Sequence, residues 1–241
     1  MGEAPTRAPR PRGLKLLGAV APFNNRSDVA VGLRVDKAWA QWYQKKAMFM
    51  DRKAPILTRL RFLHLVMLPV IMWGCEAWIP SARVFNIIKT TMYKMSRRAL
   101  RLFLPEEVKC GDVHIGEWME ATARVIDKHN DAAGLLDWKT LFLQRHHSWA
   151  GHVARMPTWR WAWRLARWRD SSWAANRQMR ARGRLRDKPG RWFPWRWQQL
   201  VQPWACGEHS AVGWMERADT KETWNAKKNE FAQWATRRRV R

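Results

Sequence analysis

The hydrophobic pattern is helical over most of the chain. Leu14-Lys15-Leu16-Leu17-Gly18-Ala19-Val20 reads as a short strand, ended by the turn residues Pro22 and Asn24-Asn25, so a small hairpin is expected to open the fold. From Asp28, the positions Val29, Gly32, Leu33, Ala38, Trp39, Trp42 and Tyr43 interleave with Arg34, Lys37, Lys45 and Lys46, as in an amphipathic helix. Pro55 suits a first helical turn. Ile56, Leu60, Leu63, Met67, Val70 and Gly74 then recur at steps of four and three, one continuous face that Pro69 is expected to kink. Ser81 has the chemistry of an N-cap, and the helix after it turns Val84, Ile88, Met92, Met95 and Leu102 inward before Pro105.

Beyond Pro105, helices are expected near His114 to Asn130 and Trp138 to Met156, separated by Gly134. Trp138, Leu141, Phe142, Trp149 and Val153 mark the buried side of the second. From Trp159 to Trp204 the chain is dominated by Arg and Trp and broken by Gly183, Pro189, Gly190, Pro194 and Pro203, the pattern of a short helix followed by a basic loop. Trp214, Ala218, Trp224, Phe231 and Trp234 predict terminal amphipathic helices. The expected fold is mainly α: a disordered basic tail over 1–13, a hairpin and first helix over 14–50, bundled helices over 51–105, a helical connector over 106–157, an Arg/Trp-rich segment over 158–203 and a C-terminal helical region over 204–241.

Charge changes this picture from a helical protein to one with a polyanionic partner. Against 20 Asp and Glu stand 45 Lys and Arg, a formal net charge of +25, far beyond what solubility needs. Nucleic acid fits best, because each phosphate neutralised releases condensed counterions without any sequence code. An anionic membrane surface is the competing sink, and a GC-rich coding sequence, which inflates Arg, Trp, Gly and Ala, is the bland source of the same charge.

The apolar run from Phe62 to Ile79 contains His64, Pro69 and Glu76, which favours a buried core helix over a membrane span. Three widely spaced cysteines, Cys75, Cys110 and Cys206, and a Pro- and Arg-rich start argue for an intracellular protein, nuclear or cytoplasmic, with no disulfide framework and no secretion.

Lys94, Arg97, Arg98 and Arg101 stand at i, i+3, i+4 and i+7, so their cationic heads are expected on one side of their helix, either meeting phosphate or simply solvated. Arg160, Arg164 and Arg167 share a second helical face while Trp161, Leu165 and Trp168 share another. Each Trp of this stretch, from Trp159 to Trp168, either packs in a core, the favoured reading, or stacks on an unpaired base. Arg184, Arg186, Lys188 and Arg191 lie in a turn-rich cationic segment able to follow a phosphate backbone or to serve as a basic linker. His146, His147 and His152, with Cys206 and His209, are zinc-binding residue types, but no second Cys pair completes a finger, and helix-surface or satisfied core histidines are the default. No phosphate-binding glycine loop, nucleophile elbow or paired acids for phosphoryl transfer appear, so neither a cofactor nor a catalytic site is expected.

The order of motifs resembles the C-terminal part of reverse transcriptases from LINE-type retrotransposons, those lacking long terminal repeats. Leu14-Lys15-Leu16-Leu17-Gly18 is similar to the short primer-gripping strand of that family, implying such a role for Leu16, Leu17 and Gly18. Leu60 to Trp78 resembles the thumb segment in which a leucine-rich helix runs into Tyr-Gly-x-Glu-x-Trp; Trp73 replaces the tyrosine, while Gly74, Glu76 and Trp78 match. Trp149-Ala150-Gly151-His152-Val153-Ala154-Arg155-Met156 resembles the family's Trp-x-Gly-His-Val-x-Arg-Met element. Lys188-Pro189-Gly190-Arg191 through Trp197 resembles its Arg-Pro-Gly-Arg-Pro element, with Trp192 for the last proline and Gln198-Gln199 for an acidic pair, as in a decayed copy.

Nothing resembles the palm's Tyr-x-Asp-Asp strand, the fingers or an endonuclease. The resemblance therefore implies a thumb and downstream region that holds a template-primer duplex of RNA or DNA through its A-form backbone, without catalysis of its own. It leaves open a truncated gene model of an RNA-directed DNA polymerase, work in trans with a separately encoded palm, and a basic membrane-surface or structural protein.

Overall fold

The computed structural model describes residues 13–16, 19–22, 27–111, 113–167, 196–206 and 214–237, and the chain is mainly helical. Two four-residue strands, β1 (Gly13–Leu16) and β2 (Ala19–Pro22), pair antiparallel with Gly13 opposite Pro22 and Leu16 opposite Ala19. The chain divides into two compact units, Met1–Trp138 and Lys139–Arg241.

The first unit is built on α1 (Ser27–Gln44), α2 (Lys46–Phe49), α3 (Ile56–Ile71), α4 (Ala82–Leu100), α5 (Glu106–Lys109) and α6 (Ile115–Ala132). Helix α3 packs against α1, α4 and α6, and α4 also packs against α1 and α6. The four-and-three spacing read from the sequence is the α3 core stripe: Leu60, Leu63 and Met67 are fully buried, continued by Ile71. They meet Val31, Ala38 and Trp42 of α1, Phe49 of α2, Ile88, Met92 and Met95 of α4 and Ile126 of α6 in the unit's core. Each such large side chain contributes about 1.5–3 kcal/mol by leaving water. The stripe frays at its start, where Ile56 is 38% exposed. Pro69 sits inside α3 and is exposed, as is Leu65 one turn earlier, so the hydrogen bond that proline removes lies on the solvent side, where water replaces it.

Helix α3 ends because Gly74 takes a left-handed conformation, φ 73°, and leads into a short 3-10 turn at Cys75–Ala77. That turn buries Trp78, and the next backbone N–H, of Ile79, donates to the Ser27 hydroxyl at 2.8 Å, pinning the connection to the start of α1. Ser81 then caps α4, its hydroxyl accepting from the Val84 N–H at 3.3 Å.

Two arginines of α3 tie the bundle together at helix ends. Arg59, buried, donates to the Ala99 carbonyl at 2.7 Å, and Arg61 donates to the Ala133 carbonyl at 3.3 Å. These carbonyls close α4 and α6, where the helix dipole is negative, so a guanidinium both satisfies the acceptor and opposes the dipole.

The second unit contains all of α7 (Trp138–Ala154) after its first residue, α8 (Trp161–Arg167), the helix Arg196–Cys206, a 3-10 turn at Trp214–Arg217, and the helices Lys221–Ala226 and Lys228–Arg237. Phe142, Leu143, Ala150 and Val153 of α7 are buried, as are Val201, Trp214, Trp224, Phe231 and Ala235. Its packing turns on one small residue. A β-carbon at Gly151 would stand 2.3 Å from Cδ1 and 2.5 Å from Nε1 of Trp224, so the indole lies directly against the α7 backbone. From there its Nε1–H donates to the His147 carbonyl at 2.7 Å, one turn earlier on α7.

Candidate nucleic-acid interface

The four cations expected on one side of α4 separate into different environments. Lys94 is exposed on α4. Arg97, by contrast, is only 8% exposed, which corrects the expectation of a four-residue solvent stripe. The face that the pattern leaves polar is the one α6 covers: Arg97 donates to Thr122 Oγ1 at 3.4 Å and lies 5.4 Å from the centre of the Trp118 ring. Burial lowers its pKa from the usual arginine value. One turn earlier, the Tyr93 hydroxyl donates to both Asp127 oxygens, at 2.8 and 3.0 Å, and burial together with that carboxylate pushes the phenol well above its ordinary range. This side of α4 is thus a polar helix–helix seam.

Arg98 is exposed yet held. Its guanidinium donates to the Tyr43 hydroxyl at 2.8 Å and lies 4.7 Å from the Trp39 ring, 5.7 Å from Trp42 and 5.8 Å from Tyr43. The apolar residues at the end of α1 therefore do more than pack inward: Tyr43, 57% exposed, and Trp39 form a cradle for a cation of α4. A planar guanidinium stacks on such rings and keeps further N–H donors for a phosphate, which an ammonium in its place would not do equally well. Arg101 caps α4 in a left-handed conformation, φ 61°, with its N–H donating to the Arg98 carbonyl at 3.1 Å, and its side chain is partly exposed. Of the four, Lys94 and Arg98 are exposed and Arg101 partly so, while Arg97 is buried.

In the second unit, Arg160 and Arg164 are exposed, and so are two tryptophans beside them. Trp159 is 61% and Trp161 74% exposed, correcting the expectation that each packs in a core. The reason is local: they flank the point where α8 begins, after the Pro157-Thr158 turn, so α8 has no preceding turn over which Trp161 could fold. Of Arg167 only the backbone, in α8, is described. The same holds for Leu16 in β1. Leu17, Gly18, Arg184, Arg186, Lys188 and Arg191 lie outside the described residues.

Two of the three histidines of α7, His146 and His147, are core residues. His147 is fully buried, stacked on Trp224 at 4.5 Å with an interplanar angle of 9°, and flanked by Trp204 and Phe231 at 5.0 and 5.2 Å. Desolvation, with smaller contributions from Lys228 and Arg155, lowers its pKa to about 4, so the ring is neutral at pH 7. His146 is buried and lies 4.4 Å from the Phe142 ring, while His152 is exposed. Among the described residues no three His, Cys, Asp or Glu side chains gather as a metal site, and no helix is long and apolar enough to cross a membrane.

The motif from Trp149 to Met156 has a structural explanation. Gly151 admits Trp224, Ala150 and Val153 are buried, and Arg155 donates to the Ala218 carbonyl at 3.0 Å and the Thr220 carbonyl at 3.5 Å, holding the stretch of chain that leads into Lys221–Ala226. The sequence periodicity could not reveal that Trp224 is the partner, because the two lie 73 positions apart; a helical glycine flanked by buried positions was the available signal.

No family model matches the chain, and no solved structure matches it. Among curated proteins, an uncharacterised transposon-derived protein of Caenorhabditis elegans is 25% identical over 115 residues, covering 48% of this chain and 37% of that protein. The chain is similar to a transposon-derived protein. The aligned part spans little more than a third of that relative's length.

Proposed function

We propose that this chain is the thumb and downstream region of a LINE-type retroelement reverse transcriptase, and that it binds RNA or DNA duplex through the sugar-phosphate backbone without carrying out catalysis itself. The observation that carries the reading is the order of the Gly74-x-Glu76-x-Trp78 and Trp149-to-Met156 elements in a chain of net charge +25. The similarity to a transposon-derived protein supports it. So does the use made of the matching residues: Gly74 supplies a left-handed helix stop, Trp78 is buried behind it, and Gly151 and Arg155 organise the second unit.

On this reading, Lys94, Arg98 and Arg101 follow a duplex at one end of α4, while Arg97 keeps α4 and α6 in place. Backbone contacts of this kind fix position without reading bases, so affinity is insensitive to sequence and steep in salt. The test is titration of the full chain against mixed-sequence RNA–DNA hybrids over a range of salt, for the wild type and for Lys94→Ala/Arg101→Ala. Binding that is independent of sequence and weakens with salt is expected, and in the variant the slope should fall by about 0.9 for each phosphate that is no longer neutralised. Equal slopes for the two proteins remove the role assigned to α4.

A further inference from the structure

The exposed tryptophans of the second unit are held in place rather than merely uncovered. The Arg160 N–H donates to the Pro157 carbonyl at 2.9 Å, the Arg164 N–H to the Arg160 carbonyl at 3.0 Å, and Arg164 Nε reaches back to the Thr158 carbonyl at 3.2 Å. This knot fixes the turn into α8. The Arg160 guanidinium stands 4.6 Å from the Trp159 ring centre and the Arg164 guanidinium 5.9 Å from that of Trp161. Met156 and Ala162 complete an open groove with Trp159, Arg160 and Trp161.

Two further facts decide what such a surface takes. Trp161 is the most exposed large apolar side chain among the described residues, and Trp159, also exposed, adjoins it; contiguous exposed apolar surface, unlike a single exposed side chain, marks interaction sites. From Lys139 to Arg169 the sequence holds no acidic residue, so the groove lies in a stretch of unbroken positive charge.

Building on the proposed nucleic-acid role, we infer that Trp159 and Trp161 form a stacking platform for unpaired bases of single-stranded nucleic acid, with Arg160 and Arg164 taking the adjoining phosphates. Each ring has a cation within 6 Å. That alternation matches a nucleotide chain, in which every base is followed by a phosphate. It suits single strands, because a duplex buries the base faces that a ring could stack on. A lipid surface fits less well: an interfacial helix needs a long apolar face, and α8 has seven residues, with Ala162 and Ala166 among them. The platform gives the chain a second site, one for the strand before or after pairing, in addition to the duplex site on α4.

The test uses the full chain, fluorescence anisotropy and four targets: oligouridine, an abasic ribose-phosphate oligomer of the same length, an RNA–DNA hairpin, and phosphatidylserine vesicles. Trp159→Ala/Trp161→Ala is expected to weaken oligouridine binding by about 5- to 150-fold per ring, with hairpin binding unchanged. Trp159→Phe/Trp161→Phe, which keeps a stacking face, retains most of the affinity, and circular dichroism of the two variants should overlay on the wild type. The abasic oligomer binds the wild type and the alanine variant alike. Arg160→Ala/Arg164→Ala weakens both oligomers and reduces the salt slope by about 0.7 per arginine. Oligouridine binding unaffected by the alanine variant, an abasic oligomer bound as tightly as oligouridine, or a tryptophan effect seen only with vesicles would each overturn the platform. A wild-type chain that binds neither hairpin nor single strand overturns the nucleic-acid role itself.

Discussion

Replacing Gly151 with alanine tests how the second unit is built. Helix propensity alone favours the change by about 1 kcal/mol, since alanine is the best helix former and glycine among the worst. The structure reverses the sign. The new β-carbon would stand 2.3 Å from Trp224 Cδ1, 2.5 Å from Nε1 and 3.0 Å from Cγ, all atoms of a rigid ring rather than the end of a flexible chain. The indole cannot retreat cheaply, because it is stacked on His147, lies 5.6 Å from the Trp204 ring and donates to the His147 carbonyl. Overpacking costs about 1–3 kcal/mol, and a buried N–H pulled from its acceptor costs a further ~1–3 kcal/mol. The net expectation is destabilisation of the second unit by roughly 1–5 kcal/mol. Urea unfolding followed by near-ultraviolet circular dichroism measures it. Adding Trp224→Phe, which removes the five-membered ring the β-carbon meets, should make the double variant less unstable than the sum of the singles. A Gly151→Ala protein as stable as the wild type, or more so, refutes the close approach of Trp224 to α7.

Other substitutions separate structural from ligand-binding cations. Arg97→Ala is expected to destabilise the first unit by about 1–2 kcal/mol and leave the salt slope of duplex binding unaltered, whereas Lys94→Ala does the reverse; chemical denaturation and binding titrations read the two effects. Gly74→Ala should cost about 1–2 kcal/mol in thermal unfolding, because an alanine at φ 73° is strained, and a neutral outcome contradicts the left-handed helix stop. Acid should weaken the second unit through His147. Its folded pKa, about 4, lies below the ordinary histidine value of 6.5, so stability is at its full level above pH 6.5. As pH falls from 6.5 toward 4 the unfolded chain takes up a proton that the folded one refuses, a loss of up to roughly 3 kcal/mol, complete below the folded value. His147→Phe should flatten that part of the stability profile, and an unchanged profile removes His147 as its source.

The sequence exposes the regular parts of this fold and hides the interactions that cross it. The stripe of Leu60, Leu63 and Met67 and the Ser81 cap are legible because each follows from spacing along one helix or from local chemistry. The fate of Arg97 and Arg98 is not, since it depends on α6 and on the end of α1, elements 25 and 55 positions away at their hydrogen-bonding residues. A helical wheel sorts polar from apolar faces but cannot show that a polar face is itself an interface. Trp159 and Trp161 show the converse error: hydrophobicity assigns large apolar residues to a core, and the helix start places these two in solvent. In both cases the candidate site narrows to residues whose partners leave a cation or a ring free to meet a ligand.

Salt dependence measures the proposed duplex-binding role most directly. The full chain is expected to bind RNA–DNA hybrids of unrelated sequence with equal affinity, and log affinity should fall linearly with log salt. Lys94→Ala/Arg101→Ala should reduce the slope by close to 2 × 0.9, about 1.8. Affinity that does not change with salt, or a slope identical in wild type and variant, contradicts that role.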